Sequence, residues 1–184
     1  MVKYNRVWAM PSEDTFSIAP IYNLISRTLT DGVWIDPFVR NSPFKSQMTF
    51  TNDLNPCFPA THHMDALDFL KAMPDKSADG ILYDPPYSPR QVTECYQGVG
   101  LKVTAEDTQS SFWTKLKREI ARIAKDDAII ICCGWNSGGV GKKLGCKLVE
   151  VLMVPHGGIH NDTIVTVERM TKQEPDIIDL FGVT

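Results

Sequence analysis

One short stretch, residues 81–87, limits what this chain can fold into more than any other. Its first three residues are apolar and typical of a buried β-strand, and Asp84 is then followed by two prolines. Because proline lacks a backbone N–H and disfavours helix at the residue before it, the chain must leave the strand at Asp84 in an extended or turn conformation. The sequence thus predicts a carboxylate and the ring of Tyr87 at the carboxyl end of a strand, where ligands bind in open α/β sheets.

Predicted strands and helices alternate along the rest of the chain. Apolar runs predict strands at 33–35, 48–51, 80–84, 128–133, 149–154 and 163–167, and an extended segment at 7–10. Apolar residues at helical spacing predict helices over about 20–29, 65–73 and 110–124. Residues 88–108 are polar and contain two glycines, so they are predicted to form a long loop. The tail contains a short apolar segment at 177–181, which is predicted to dock onto the domain.

The last two predicted strands flank the glycine-containing segment 155–162 and predict an antiparallel hairpin over about 146–169. Together with the alternation before it, this predicts an α/β fold: a mostly parallel sheet with helices on both faces and a C-terminal antiparallel hairpin. The length of 184 residues suits a single domain, 1–184.

Composition and cysteine usage indicate a cytoplasmic protein. No apolar run approaches the roughly 20 residues needed to span a bilayer, and no signal peptide is visible, so no membrane contact is expected. The five cysteines show no C-x-x-C spacing and are typical of reduced, buried thiols. His62 and His63 with Asp65 are too local for a zinc site, so no metal is predicted.

The groups at 84–87 can hold an amino group on a flat molecule. The Asp84 carboxylate can accept one hydrogen bond from an exocyclic amine and the Pro85 carbonyl, which lies in a turn, can accept a second. Tyr87 offers a face on which a planar base can stack. The alternative is a strand followed by a Pro-Pro turn with a capping Asp.

The string Asp84-Pro85-Pro86-Tyr87 resembles the D-P-P-Y motif of S-adenosylmethionine-dependent amino-methyltransferases, which act on adenine N6 or cytosine N4. The resemblance implies the Rossmann-like methyltransferase fold, S-adenosylmethionine as cofactor and these four residues as the catalytic set. No separate target-recognition domain is expected. The size is similar to that of small orphan enzymes carried by phages, which implies a bacterial host.

Three more acids precede the motif at predicted strand ends, in the order that the family uses for its cofactor. The resemblance implies that Asp36-Pro37-Phe38 lies near the methionine end, that Asp53 binds the ribose hydroxyls, and that Asp65 accepts from the adenine amine. Asp36 and Asp65 can equally be turn or helix caps, and it is the ordered set that favours the cofactor site. The family continues D-P-F with glycines, whereas this chain has none in 39–43, so side chains such as Asn41 and Ser42 are expected to hold the cofactor instead.

Further site residues come from weaker signals. The segment with Pro11 and Phe16 resembles the one that closes over the cofactor in such enzymes. His156 and His160 fall in the loop that faces the target base in the family, and they are predicted to contact it. The helix 111–125 is basic, so Lys115 and Arg122 are predicted to contact phosphates, although a charged outer face is normally just solvated.

The sequence predicts methyl transfer to a base amine, adenine N6 in DNA first, with RNA or a protein glutamine amide as alternative substrates. The net charge of −3 and the pI of about 5.8 count against a tight nucleic-acid binder. The missing glycines leave a non-catalytic binding protein open. Formation of a homodimer, which enlarges a small recognition surface, is also left open.

Overall fold

The computed structural model describes residues 1–171, so the predicted docking segment 177–181 lies outside the described residues. Seven strands form one sheet in the order β1-β6-β7-β5-β4-β2-β3. Their bounds are β1 Lys3–Arg6, β2 Trp34–Asp36, β3 Phe50–Thr51, β4 Ala78–Tyr83, β5 Ala124–Gly134, β6 Cys146–Val154 and β7 Thr163–Met170. Only β7 runs antiparallel to its neighbours, β5 and β6, so the mostly parallel sheet with a closing hairpin is confirmed.

Helices cover both faces of the sheet, as predicted. Their bounds are α1 Ala19–Thr28, α2 Ala66–Ala72, α3 Pro89–Gly98 and α4 Ser110–Ile123. The buried side chains of α1 pack on one face, and those of α2, α3 and α4 pack on the other. Within residues 1–171, no helix is both long enough and apolar enough to cross a bilayer.

The prediction of a long loop over residues 88–108 is wrong, because α3 occupies about half of this stretch. The hydroxyl of Ser88 caps the helix by accepting from the Gln91 N–H at 3.3 Å, and Pro89 occupies the first turn. Val92, Cys95 and Tyr96 recur at helical spacing within this polar stretch, although only Val92 is buried. The first strand also begins earlier than the predicted 7–10, although the backbone N–H groups of Val7 and Ala9 continue its pairing beyond Arg6.

The parallel register brings the functional strands side by side. Trp34 of β2 pairs with Gly80 of β4, so Asp36 and Asp84 leave the same edge of the sheet. Gly80 permits this approach, since a Cβ there would lie 2.4 Å from the indole of Trp34. The carboxyl ends of β2, β3 and β4 therefore meet at one edge.

Candidate active site

A cavity of about 550 Å³ opens at this edge of the sheet. It is formed by the loops after β2, β3 and β4, by one side of α3, and by the N-terminal segment 13–16. Among the residues expected at a site, those that line it are Phe16, Pro37, Phe38, Ser42, Asp53, Asp65, Asp84, Pro85, Pro86 and Tyr87. The structure thus brings the D-P-P-Y string and two of the three earlier acids into one cavity.

Asp84 is half-buried at the end of β4 and is held by its surroundings. The Tyr87 hydroxyl donates to its Oδ1, and the hydroxyl of Thr15 lies beside it and lowers its pKa. Burial outweighs these contacts, as well as the nearby positive charge of Arg40, and raises the pKa of Asp84 above its usual range. A carboxyl with a raised pKa is suited to take a proton from a bound group.

The turn after Asp84 is fixed from two sides. The indole Nε1 of Trp113 donates to the Pro86 carbonyl at 2.7 Å, and the Tyr87 N–H donates to Gln91 Oε1 at 2.6 Å. Trp113 comes from α4 and Gln91 from α3, so both helices determine where this turn lies. Sequence reasoning did not identify either residue, because Trp113 is 27 residues from Pro86 and Gln91 belongs to the stretch predicted to be a loop.

Asp36 is fully buried beneath the adjacent Pro37 and Phe38. Its Oδ1 accepts from the Phe38 N–H at 3.0 Å, whereas its Oδ2 has no hydrogen-bond partner among the described residues. Burial raises the pKa of Asp36 to about 8, and the nearby carboxylates of Asp84 and Asp53 add to the shift. Asp36 is therefore mostly protonated at neutral pH.

Asp53 and Asp65 line the cavity with part of their hydrogen-bonding capacity already used. Asp53 accepts from the backbone N–H of Arg40 at 2.9 Å and from that of Asn55 at 2.8 Å. Asp65 caps α2 by accepting from the Leu67 N–H, which confirms its predicted role as a cap, and it also accepts from the hydroxyl of Tyr96. Each carboxylate oxygen has a second lone pair, so both acids can still accept from a ligand.

Arg40 is a cavity residue that sequence reasoning missed. It has φ of 40°, the left-handed conformation that favours glycine, at the place where the family has glycines. Its guanidinium contacts Glu13 Oε2 at 3.2 Å and Asp14 Oδ1 at 3.6 Å, and it lies 5.6 Å from the ring centre of Phe58. Arg40 therefore ties the loop after β2 to segment 13–16, which lines another part of the cavity wall.

Several predicted contact residues lie elsewhere. His156 is buried, and its ring contacts the Ala9 carbonyl and the Thr163 hydroxyl, both at 2.9 Å. These bonds fix the loop after β6, so His156 is a structural residue and does not face the cavity. His160 is in the same loop and is exposed. Pro11 and Asn41 do not line the cavity either.

The two predicted basic contacts belong to ion pairs on α4. Lys115 lies 3.2 Å from Glu106, on the outer surface. Arg122 pairs with Asp75 and Glu119 and donates to two backbone carbonyls at the end of α2. Arg122 lies near the start of β4, at the edge of the sheet opposite the cavity, and its contact with phosphate stays a prediction.

The charge around the cavity selects among ligands. Six carboxylates and one guanidinium line it, from Glu13, Asp14, Asp53, Asp65, Asp84, Glu94 and Arg40. Such a wall favours a cationic or polar ligand and disfavours a polyphosphate. The aromatic rings of Phe38, Phe58 and Tyr87 add flat apolar surface for a planar group.

The sequence matches no model of a known family and no curated protein. Solved structures with a similar fold include TrmN from Thermus thermophilus, with a TM-score of 0.56 at 14% identity over 83% of this chain and 49% of the other. They also include 1,6-didemethyltoxoflavin-N1-methyltransferase from Burkholderia thailandensis, bound to 1,6-didemethyltoxoflavin and S-adenosylhomocysteine, with a TM-score of 0.54 at 10% identity over 82% and 76%. The N-methyltransferase NodS from Bradyrhizobium japonicum WM9 gives a TM-score of 0.53 at 10% identity over 82% and 94%. The chain therefore has the Rossmann-like methyltransferase fold.

Proposed function

We propose that this protein transfers the methyl group of S-adenosylmethionine to the exocyclic amine of a nucleic-acid base, with adenine N6 of DNA as the first candidate. The observation that carries the proposal is the meeting of Asp84, Pro85 and Tyr87 with Asp53 and Asp65 in one cavity of a methyltransferase fold. In this proposal Asp84, Pro85 and Tyr87 form the site for the amine, and Asp53 and Asp65 accept hydrogen bonds from the nucleoside part of the cofactor.

The cavity fits S-adenosylmethionine by size, charge and donor set. Its volume of about 550 Å³ lies within the range of small-molecule sites. The surplus of carboxylates suits a ligand that carries a sulfonium and an ammonium group. In this proposal Asp53 accepts from the ribose hydroxyls and Asp65 from the adenine amine, while Phe38 adds an apolar wall; all three line the cavity.

The cofactor supplies an activated methyl group whose leaving group becomes neutral, so no metal is required. The residues of the chain itself orient the substrate amine and accept its proton. The Asp84 carboxyl and the Pro85 carbonyl accept the two N–H groups of the substrate amine and fix its direction. Asp84, whose pKa is raised by burial, then takes the proton that the amine loses. Tyr87 lies under the base, and its hydroxyl bond to Asp84 holds the carboxyl in place.

The acidic wall also bears on how a nucleic acid approaches. The phosphates of a strand are repelled by the six carboxylates, so only a base can enter the cavity, either flipped from a duplex or taken from a single strand. Free adenine, RNA and a glutamine side chain present a similar planar –NH₂. Contacts on the surface outside the cavity must therefore distinguish DNA from RNA and protein substrates.

The test is label transfer from radioactive S-adenosylmethionine to a panel of DNA, RNA and protein substrates. Replacement Asp84→Ala should reduce transfer by about 100-fold or more, as expected for loss of one charged group that acts on the reacting atom. Asp68→Ala removes an exposed carboxylate from α2 and serves as the control. Equal transfer by wild type and Asp84→Ala contradicts the role of Asp84.

Calorimetry with S-adenosylhomocysteine separates the enzyme from a binding protein of the same fold. Measurable heat and a raised melting temperature support the cofactor site. No binding, together with no label transfer, supports the non-catalytic alternative. A preference for DNA within the panel supports the first candidate, and a preference for RNA or protein replaces it.

A further inference from the structure

Aromatic side chains follow three strands at the edge that holds the cavity, and two of them, both tryptophans, are exposed. Strands β4, β5, β6 and β1 run in the same direction, so their carboxyl ends lie along one edge. Tyr87 follows β4, Trp135 follows β5 and is 42% exposed, and Trp8 follows β1 and is 61% exposed. Between the last two lies the loop after β6, where Ile159 is fully exposed.

These side chains form a row that starts at the cavity. The rings of Tyr87 and Trp135 are 5.7 Å apart, edge to face. Trp8 lies against the loop after β6, since its Nε1 would be 3.6 Å from a Cβ at Gly157, and the Ala9 N–H donates to the Pro155 carbonyl at 3.2 Å. Strands lie about 4.8 Å apart, so the four steps from β4 to β1 span roughly 19 Å.

We propose that Tyr87, Trp135 and Trp8 form a stacking track for unpaired bases, so that the substrate is single-stranded nucleic acid and not an intact duplex. This inference rests on the proposed function and specifies its substrate. An exposed indole can stack on a base only when that base is not already stacked in a helix. The target base occupies the cavity over Tyr87, and the neighbouring bases stack on the two tryptophans.

A positively charged groove begins at the far end of this row and runs along β1, away from the cavity edge. The far end of the track opens into a groove of about 520 Å³ between α1 and β1, lined by Trp8 together with Lys3, Arg27 and Glu150. The two cations share one buried carboxylate, at 3.5 Å and 2.6 Å, which leaves the groove with one positive charge in excess. Lys3 and Glu150 pair at the amino end of β1, so the charged part of the groove lies beyond Trp8. Phosphates are repelled at the cavity and attracted into this groove, so a strand that passes along the row continues past Trp8 into the groove.

The test compares binding of a labelled single-stranded oligonucleotide of about twelve nucleotides, containing one adenine, with binding of its duplex, by fluorescence anisotropy in the presence of S-adenosylhomocysteine. The single strand should bind at least about 10-fold more tightly. Trp135→Ala and Trp8→Ala should each weaken single-strand binding by roughly 10-fold, and Trp135→Phe should retain most of it. Tyr4→Ala is the control, because Tyr4 is 69% exposed on β1 but points to the opposite face from the groove residue Asn5.

Duplex binding as tight as single-strand binding, or tryptophan-to-alanine variants that bind like wild type, overturns the track. A loss of binding in Tyr4→Ala equal to that of the tryptophan variants also overturns it. Label transfer distinguishes the two proposals. Transfer to a duplex that the tryptophan variants leave unchanged refutes the track while the function stands. Absence of transfer to any nucleic acid refutes the function, and the anisotropy measurements still decide the track.

Discussion

Replacing Asp36 by asparagine should make the stability of this protein less dependent on pH. The Asp36 carboxyl is fully buried, and its Oδ2 has no hydrogen-bond partner among the described residues. Asparagine keeps an oxygen that can accept from the Phe38 N–H but cannot ionise. The variant therefore removes the ionisation of this group while preserving its shape and its one hydrogen bond.

The sign and size of the expected change in the free energy of unfolding follow from the shift in the pKa of Asp36. Asp36 has a pKa of about 8 in the folded protein against an ordinary value of 3.8, so the folded state binds the proton more tightly than the unfolded state. The stabilisation linked to this proton is fully present below the ordinary value and is lost as the pH rises through the folded value. Between pH 5 and pH 8, the loss in the free energy of unfolding amounts to about 3 to 4 kcal/mol.

The assay is urea unfolding of wild type and Asp36→Asn at several pH values from 5 to 8. The difference in unfolding free energy should move by about 3 to 4 kcal/mol in favour of the variant as the pH rises, since most other titrating groups are shared. Asp68→Asn, whose side chain is 71% exposed, should follow wild type across the range. A difference between Asp36→Asn and wild type that stays constant with pH refutes the burial argument.

Two further substitutions test the sheet and the cavity wall. Gly80→Ala should lower the free energy of unfolding by about 3 kcal/mol, because the new Cβ overlaps the buried indole of Trp34. The control Gly98→Ala meets no atom within 4 Å and should be tolerated. Equal midpoints of urea unfolding for the two variants contradict this packing. Arg40→Ala should change the free energy of unfolding by less than about 1 kcal/mol, since the ion pairs of Arg40 are near the surface. The same variant should bind S-adenosylhomocysteine several-fold more weakly in calorimetry, because segment 13–16 is no longer tied to the loop after β2. Unchanged affinity in Arg40→Ala assigns the arginine no part in closing the cavity.

The parts of the fold that follow from local chemistry could be predicted from the sequence. The strand before Asp84 is a buried apolar run stopped by two prolines, and Asp65 caps α2 as its position before an apolar helical pattern indicates. The closing hairpin likewise follows from two alternating segments around glycines. In each case the determining residues lie within a few positions of one another.

The helix α3 shows where such reasoning fails. Its apolar residues Val92, Cys95 and Tyr96 do recur at helical spacing, but they stand among polar neighbours, and only Val92 is buried because one side of the helix lines the cavity. The Ser88-Pro89 pair is a helix-start signal that could have identified it. A surface helix of this kind is recognisable by its cap together with a narrow apolar stripe.

Other features depend on contacts between distant segments. Arg40 adopts a left-handed conformation beside carboxylates that come from residues 13 and 14, and no local pattern announces this. His156 is buried because β1 pairs with β6 and brings the Ala9 carbonyl to its ring. A parallel pairing across almost the whole chain leaves no trace in the few residues around the histidine.

The acidic side chains at the cavity favour binding of a cation but disfavour folding of the protein without it. Asp36, Asp53 and Asp84 lie at the ends of three neighbouring strands, and burial, with a smaller contribution from the repulsion between these acids, raises the pKa of Asp36. Asp36 escapes this repulsion at neutral pH by holding a proton, whereas the ionised acids that line the cavity repel one another and oppose folding. A bound cation offsets that repulsion, so the same arrangement that weakens the empty protein strengthens the complex. Acidic side chains at adjacent strand ends are therefore better explained by a positively charged ligand than by the stability of the sheet.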